Sequence, residues 1–160
     1  MQKKIALFIA TFFGTGLAPK APGTMGSLAT LPFAFLMAYF FGFNGIFYAA
    51  FVVFIIGVAA IYWATKGEEE KDPGKIVIDE TAGQLMSFIL VTHALYHNFS
   101  YKAFLIYLLG FGLFRFFDIV KMGPVKWADS KIKNALGVML DDVFAGLFAA
   151  VVLMLIVSKL

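Results

Sequence analysis

Long apolar runs broken by short polar clusters set the pattern of this chain. Five runs, at 28–41, 45–65, 76–96, 102–117 and 138–157, are read as crossing helices, a full crossing taking roughly 20 residues. The cleanest is 45–65, uncharged for about 20 residues and so ~30 Å long as a helix. Tyr62 and Trp63 fall at its end, where an interfacial aromatic belt would place them. A shorter run at 5–13 follows Lys3 and Lys4. It resembles the start of a signal peptide, but no small-residue cleavage pattern follows, so it is expected to stay in the mature protein. Glycine and proline punctuate 14–27 (GTGLAPKAPGTMGS), which predicts a structured loop rather than a regular helix. Phe43 and Asn44, between glycines, predict a turn, as does Asp72-Pro73-Gly74. Residues 118–137 read as a polar connection, and Glu68 to Glu70 as a solvated face.

Composition agrees with that pattern. The chain is 61% hydrophobic with a mean hydropathy of +0.87, against the roughly 45–50% apolar content of a soluble domain. The expectation is an all-α polytopic membrane bundle of about five or six helices, forming one domain over 1–160. The absence of cysteine excludes disulfides, thiolate metal sites and a cysteine nucleophile. If the five runs each cross, the 14–27, 66–75 and 118–137 segments emerge on one side. That side then holds Lys20, Lys66, Lys71, Lys75, Arg115, Lys121, Lys126, Lys131 and Lys133, whereas the other holds Lys102 and Lys159; Lys3 and Lys4 are assigned to neither, because the 5–13 run is too short to span. The positive-inside tendency makes the richer face cytoplasmic.

Seven of the ten acidic residues lie in 71–80, 115–129 and 141–142, against the edges of apolar segments where carboxylates are costly and usually functional. Asp79, Glu80, Asp118, Asp141 and Asp142 offer hard oxygen ligands without a nearby thiolate or imidazole, a donor set suited to Mg²⁺ or a similar cation. Asp79 and Glu80 also stand where a helix N-terminus favours carboxylates for ordinary capping. Arg115, Asp118 and Lys121 recur every three residues along one helix face. That arrangement suits a metal-bound phosphate and equally suits a salt-bridge ladder at a membrane boundary. Gly14, Gly16, Gly23 and Gly26 allow close approach of backbone N–H groups to an anion, and Thr15, Thr24 and Ser27 add hydroxyls. The plainer reading is a helix connection with Ser27 as N-cap, and no Walker A sequence is present. His93 and His97 are spaced i, i+4, yet they lie several turns beyond Asp79, where a structural role fits better. No Ser/His/Asp arrangement can be placed on the polar face, so serine hydrolase chemistry is not expected.

Four motifs in order carry a resemblance: Gly14-Thr-Gly-Leu-Ala-Pro19 with Ala21-Pro-Gly-Thr-Met-Gly-Ser27; Asp72 and Gly74 with Ile76-Val-Ile-Asp-Glu80; Phe114-Arg-Phe-Phe-Asp118 with Lys121, Pro124 and Asp129; and Gly137-Val-Met-Leu-Asp-Asp142 with Ala145-Gly146. In these the chain resembles the phosphatidylglycerophosphatase A family from its first loop to its last helix. The chain departs from the family pattern at Lys121-Met-Gly-Pro124, where Lys-Pro-aromatic-Pro is usual, a change that bears on local rigidity and substrate fit.

The resemblance implies a Mg²⁺-dependent hydrolysis of phosphatidylglycerophosphate to phosphatidylglycerol at the cytoplasmic face of a bacterial inner membrane, with no nucleic-acid partner. On that reading Asp79, Asp118 and Asp142 are catalytic, and Asp79, Glu80, Asp118 and Asp142 hold the metal, with Asp141 an equal candidate because adjacent helix positions point about 100° apart. Gly23, Thr24, Ser27, Arg115 and Lys121 would bind the phosphate. The nucleophile is either water or a carboxylate. A small transporter would carry its charges near the midplane rather than at helix ends. A cytidine-nucleotide phosphotransferase would need an Asp-Gly-x-x-Ala-Arg pattern that is missing. A non-catalytic membrane subunit would not require three polar motifs to meet.

Overall fold

The computed structural model describes residues 2–68 and 73–159. Asp72, Lys71 and most of the acidic run at 68–70 lie outside the described residues. Among those described the chain is all-helical: α1 (Gln2–Ala10), a 3₁₀ turn (Thr15–Leu17), α2 (Pro22–Ala64), α3 (Ile78–Met86), α4 (Thr92–Leu95), α5 (Tyr101–Val120), α6 (Pro124–Lys131) and α7 (Ala135–Val157). Three of these, α2, α5 and α7, are long and apolar enough to cross a membrane.

Helix α2 is not one rod. Gly42 sits at φ 55°, ψ −135°, outside helical geometry and open to a residue without a Cβ. One shared cleft is lined by Phe33, Met37 and Phe41 from before the break and by Gly45, Ala49 and Val53 from after it. Residues equidistant from the break therefore meet, and the legs 22–41 and 43–64 fold back on each other. The turn expected at 43–44 is realised as this hairpin, hinged one residue earlier.

The reading of 76–96 as a single crossing helix is corrected. Helix α3 stops at Met86, and the chain continues through tight turns whose N–H groups reach back three residues, Phe88 to Leu85 O (3.1 Å), Ile89 to Met86 O (3.1 Å) and Val91 to Phe88 O (3.0 Å). Local side-chain bonding competes with the helix here: the Ser87 hydroxyl donates to Gln84 O (2.7 Å) and accepts from Gln84 Nε2 (2.9 Å). Irregular backbone at membrane depth is tolerated when buried in protein, and residues 85, 87–89, 91 and 92 are all buried. The segment still runs the length of the bundle, because the Tyr96 ring lies against Gly42 and His97 N–H donates to Tyr39 O (3.1 Å) at the hairpin end. His97 lies beyond α4 at φ 49°, so the two histidines do not share a helix face.

Two further boundaries move. Helix α2 begins at Pro22, inside the segment expected as loop, because proline is preorganised for a first helical position. The 118–137 connection is largely helical: α5 extends to Val120, α6 follows, and α7 starts at Ala135, where the Asn134 side chain accepts from Leu136 N–H (3.0 Å) and Gly137 N–H (3.2 Å). Asp141 and Asp142 consequently sit near the end of the second turn of α7 rather than in its first. A Cβ on Gly83 would stand 2.5 Å from both the Asp142 carbonyl and the Phe114 ring, so glycine lets α3 and α7 approach closely. The starts of α2, α3 and α7 and the end of α5 thereby share one end of the bundle.

Candidate active site

Three of the sequence-predicted carboxylates converge. One oxygen each from Asp79, Glu80 and Asp142 lies within 4.8 Å of the others. Asp79 and Glu80 come from the first turn of α3, and Asp142 reaches them from α7 across the Gly83 contact. Asp79 is 6% and Asp142 3% exposed. Like charges this close in so dry a place repel unless a cation or protons lie among them. Glu80 Oε2 and Asp142 Oδ2 are buried without a hydrogen-bond partner. An all-oxygen donor set with uncommitted lone pairs fits a hard divalent cation such as Mg²⁺.

Asp118 borders this cluster beside Asp142 and is held by Arg115, whose Nη1 lies 2.7 Å from Asp118 Oδ2 and 3.9 Å from Glu80 Oε1. Arg115 Nη1 also donates to Ser27 Oγ at 3.4 Å, tying α5 to α2, while Arg115 Nε is buried without a partner. The guanidinium thus has capacity left for another acceptor at the edge of the carboxylates.

Helix α2 delivers the third component. The N-cap is Ala21, in the left-handed region, and no side chain caps the helix. The first-turn N–H groups of a helix have no intrahelical acceptor, and they carry the positive end of its dipole. Gly23 is in that turn, and a Cβ there would collide with Glu80 Oε1 and stand 3.3 Å from Arg115 Nη1. Thr24 sits beside it, half-buried. Ser27 is not an N-cap: it lies in the second turn, where its hydroxyl donates to Gly23 O (2.9 Å). The glycine-rich segment therefore packs against the carboxylate cluster itself.

Lys121 and Asp141 stand apart from this group. Lys121 ends α5 in the left-handed region (φ 46°), which turns its side chain away from the Arg115–Asp118 face. Its Nζ donates to Asp129 Oδ1 (2.5 Å) on α6 and to Asp141 Oδ2 (2.9 Å) on α7. Burial alone would lower its pKa, but the hydrogen bonds and charges of Asp129 and Asp141 outweigh burial and hold the ammonium above the usual lysine range. Asp141 Oδ1 accepts the Asp142 N–H (3.1 Å), so this ion triad braces the residue that enters the cluster. In the sequence Asp129 stands out only as part of a motif; its partner, eight residues away across a left-handed turn, obeys no helical spacing that would reveal it.

A buried acidic cluster faced by an arginine and an uncapped helix N-terminus has the chemistry to hold a metal-bound phosphate. Comparison with known proteins points the same way. The family profile described as phosphatidylglycerophosphatase A matches residues 8–157. The chain is 33% identical over 147 residues to the phosphatidylglycerophosphatase A of Escherichia coli (strain K12), covering 91% of this chain and 79% of that one. It is 34% identical over 155 residues to the phosphatidylglycerophosphatase A of Haemophilus influenzae, covering 94% and 90%. A Bacteroides thetaiotaomicron protein named provisionally as a phosphatidylinositol-3-phosphatase is 30% identical over 152 residues, covering 93% and 91%. No solved structure matches the chain.

Proposed function

Because the chain belongs to the phosphatidylglycerophosphatase A family, and is on that account a membrane phosphatase, we propose that it removes the terminal phosphate monoester of phosphatidylglycerophosphate, yielding phosphatidylglycerol, with Mg²⁺ as cofactor. The observation that carries the reading is the buried Asp79–Glu80–Asp142 cluster bordered by Arg115 and the start of α2.

Asp79, Glu80 and Asp142 would hold the cation, with Asp118 at its edge. When bound, such a cation supplies Lewis-acid stabilisation of phosphoryl oxygens and can lower the pKa of a coordinated water. Arg115 would bind the phosphate through the donors that Asp118 does not occupy, and phosphoryl transfer rests mainly on such positioning and charge neutralisation. The Gly23 and Thr24 N–H groups would receive the remaining oxygens, as helix N-termini receive anions generally. Ser27 orients Arg115 through its hydroxyl.

The location suits a lipid monoester. The site lies at the ends of long apolar helices, so a headgroup phosphate can reach it while the acyl chains stay among Phe-rich faces. Lys20, Lys75, Lys126, Lys131 and Lys133 cluster toward the site end and Lys102 and Lys159 toward the other, which supports a cytoplasm-facing site in a bacterial inner membrane.

The deciding experiment measures phosphate release by detergent-purified protein from phosphatidylglycerophosphate, phosphatidic acid and phosphatidylinositol 3-phosphate, with Mg²⁺ and with chelator. Mg²⁺-dependent release favouring the first lipid is expected. Release favouring the inositol lipid would reassign the substrate, and no release from any would overturn the reading.

A further inference from the structure

Helix α6 joins α5 to α7 at the end of the bundle that holds the carboxylates, and at ~12 Å it is far too short to cross a bilayer core of ~30 Å. Its rotation is fixed from within. Val125 and Ala128 are fully buried, Val125 in a small core with Phe114 and Ala145, and Asp129 is turned to Lys121. At about 100° per residue, the remaining positions Lys126, Trp127, Ser130 and Lys131 share an outward arc of ~140°, and all four are exposed.

Charge is sorted on this surface. The only acid between 124 and 133 is Asp129, and its carboxylate is already paired with Lys121. Among the described residues Lys126 and Lys131 have no ion-pair partner, and Lys133, exposed just past the helix, donates to the Asp129 backbone carbonyl (2.8 Å). In their midst stands Trp127, 54% exposed, with Met122 before the helix and Leu136 after it exposed as well. Water alone gives no reason to present an indole and two large apolar side chains. A headgroup layer does, because amphipathic rings settle at its level while neighbouring ammoniums reach the phosphates. Membrane orientation asks for positive charge somewhere in this connection. It does not ask that the one acid be drawn inward or that the lysines surround a tryptophan.

We propose that the outward face of α6 is a docking surface for anionic phospholipid headgroups of the leaflet on the carboxylate side. Their phosphodiester oxygens accept from Lys126, Lys131 and Lys133, and Trp127 lies among them at headgroup level. Such a surface gathers anionic lipid beside the carboxylate cluster, and it does not depend on which phosphate ester is cleaved there.

The test uses Trp127 as reporter. The chain has two tryptophans, so Trp63→Phe leaves Trp127 alone. This protein is reconstituted into phosphatidylcholine vesicles that carry an equal minor fraction of brominated phosphatidylglycerol or of brominated phosphatidylcholine, and quenching of its fluorescence is compared. Quenching by the brominated phosphatidylglycerol should correspond to a local enrichment of about fivefold or more, the contribution of one lysine near an anionic leaflet, and should fall toward that of the zwitterionic lipid in high salt. Lys126→Gln, Lys131→Gln and Lys133→Gln together should abolish the preference, whereas arginine at the same three positions should keep it. Equal quenching by the two lipids, or a preference that survives the triple glutamine variant, overturns the proposal. Quenching by neither lipid would put α6 clear of the bilayer, facing water or a soluble partner, and overturns it too. None of these readings requires turnover, so they stand apart from the outcome of the phosphatase assay.

Discussion

Single side chains divide into those that enter the carboxylate cluster and those that brace it, and substitution should separate the two. Asp142 is buried, has an unpartnered oxygen and lies within reach of Asp79 and Glu80. Asp142→Asn should lower phosphatase turnover by at least about 10²-fold, on the scale of losing one transition-state stabilising group, with the helical circular dichroism unchanged. Activity near the wild-type level would remove Asp142 from the chemistry. Lys121 acts differently. Its side chain is 31% exposed but serves an Asp141 side chain that is 7% exposed. Lys121→Met leaves that acid buried without its cation, at an expected cost of about 1–3 kcal/mol. Adding Asp141→Asn should recover part of the loss, the signature of a direct pair in a double-mutant cycle. If Lys121 instead contacts substrate, the single variant would raise KM while the thermal midpoint stays put.

At the level of elements, the site exists because α2 begins six residues earlier than its glycine and proline content suggests. Those glycines are helical, and they are small because Glu80, Arg115 and Val77 occupy the space where their side chains would be. Gly23→Ala pushes a methyl into Glu80 Oε1. Displacement of this order in a catalytic constellation can cost about 10²-fold, so a loss of tenfold or more in kcat/KM is expected, with a raised Mg²⁺ requirement; unchanged kinetics would show that α2 does not contribute its first turn to the site. The same locality explains what could be read from sequence. The apolar runs, the hairpin near Gly42 and the gathering of Asp79, Glu80, Asp118 and Asp142 at one end followed from hydropathy and topology. The break after Met86 did not, because Ser87 and Gln84 form their mutual hydrogen bonds inside an apolar run that reads as continuous helix. Nor did the parting of Lys121 from Arg115 and Asp118, since a three-residue spacing predicts a common face only while the helix lasts, and it ends in a left-handed residue at Lys121 itself.

For the whole molecule, the cluster should make stability depend on the cation. Asp79, Glu80 and Asp142 belong to α3 and α7, which with α2 enclose much of the bundle's buried core. Their mutual repulsion therefore opposes the packing that holds the two helices together at Gly83 and Gly146. A cation bound by the folded chain stabilises it by mass action, about 2.7 kcal/mol at a hundred times its dissociation constant, and for a chain of this length each kcal/mol moves the midpoint ~2–4 °C. Saturating Mg²⁺ should accordingly raise the thermal midpoint over that in chelator by ~5–10 °C. Asp142→Asn should reverse both halves of the effect: removal of one buried charge raises the midpoint in chelator, and loss of a ligand flattens the response to Mg²⁺. A wild-type midpoint indifferent to Mg²⁺, together with an Asp142→Asn midpoint no higher in chelator, would mean that protons rather than a cation neutralise the cluster, and would shift the catalytic burden to Arg115 and the start of α2.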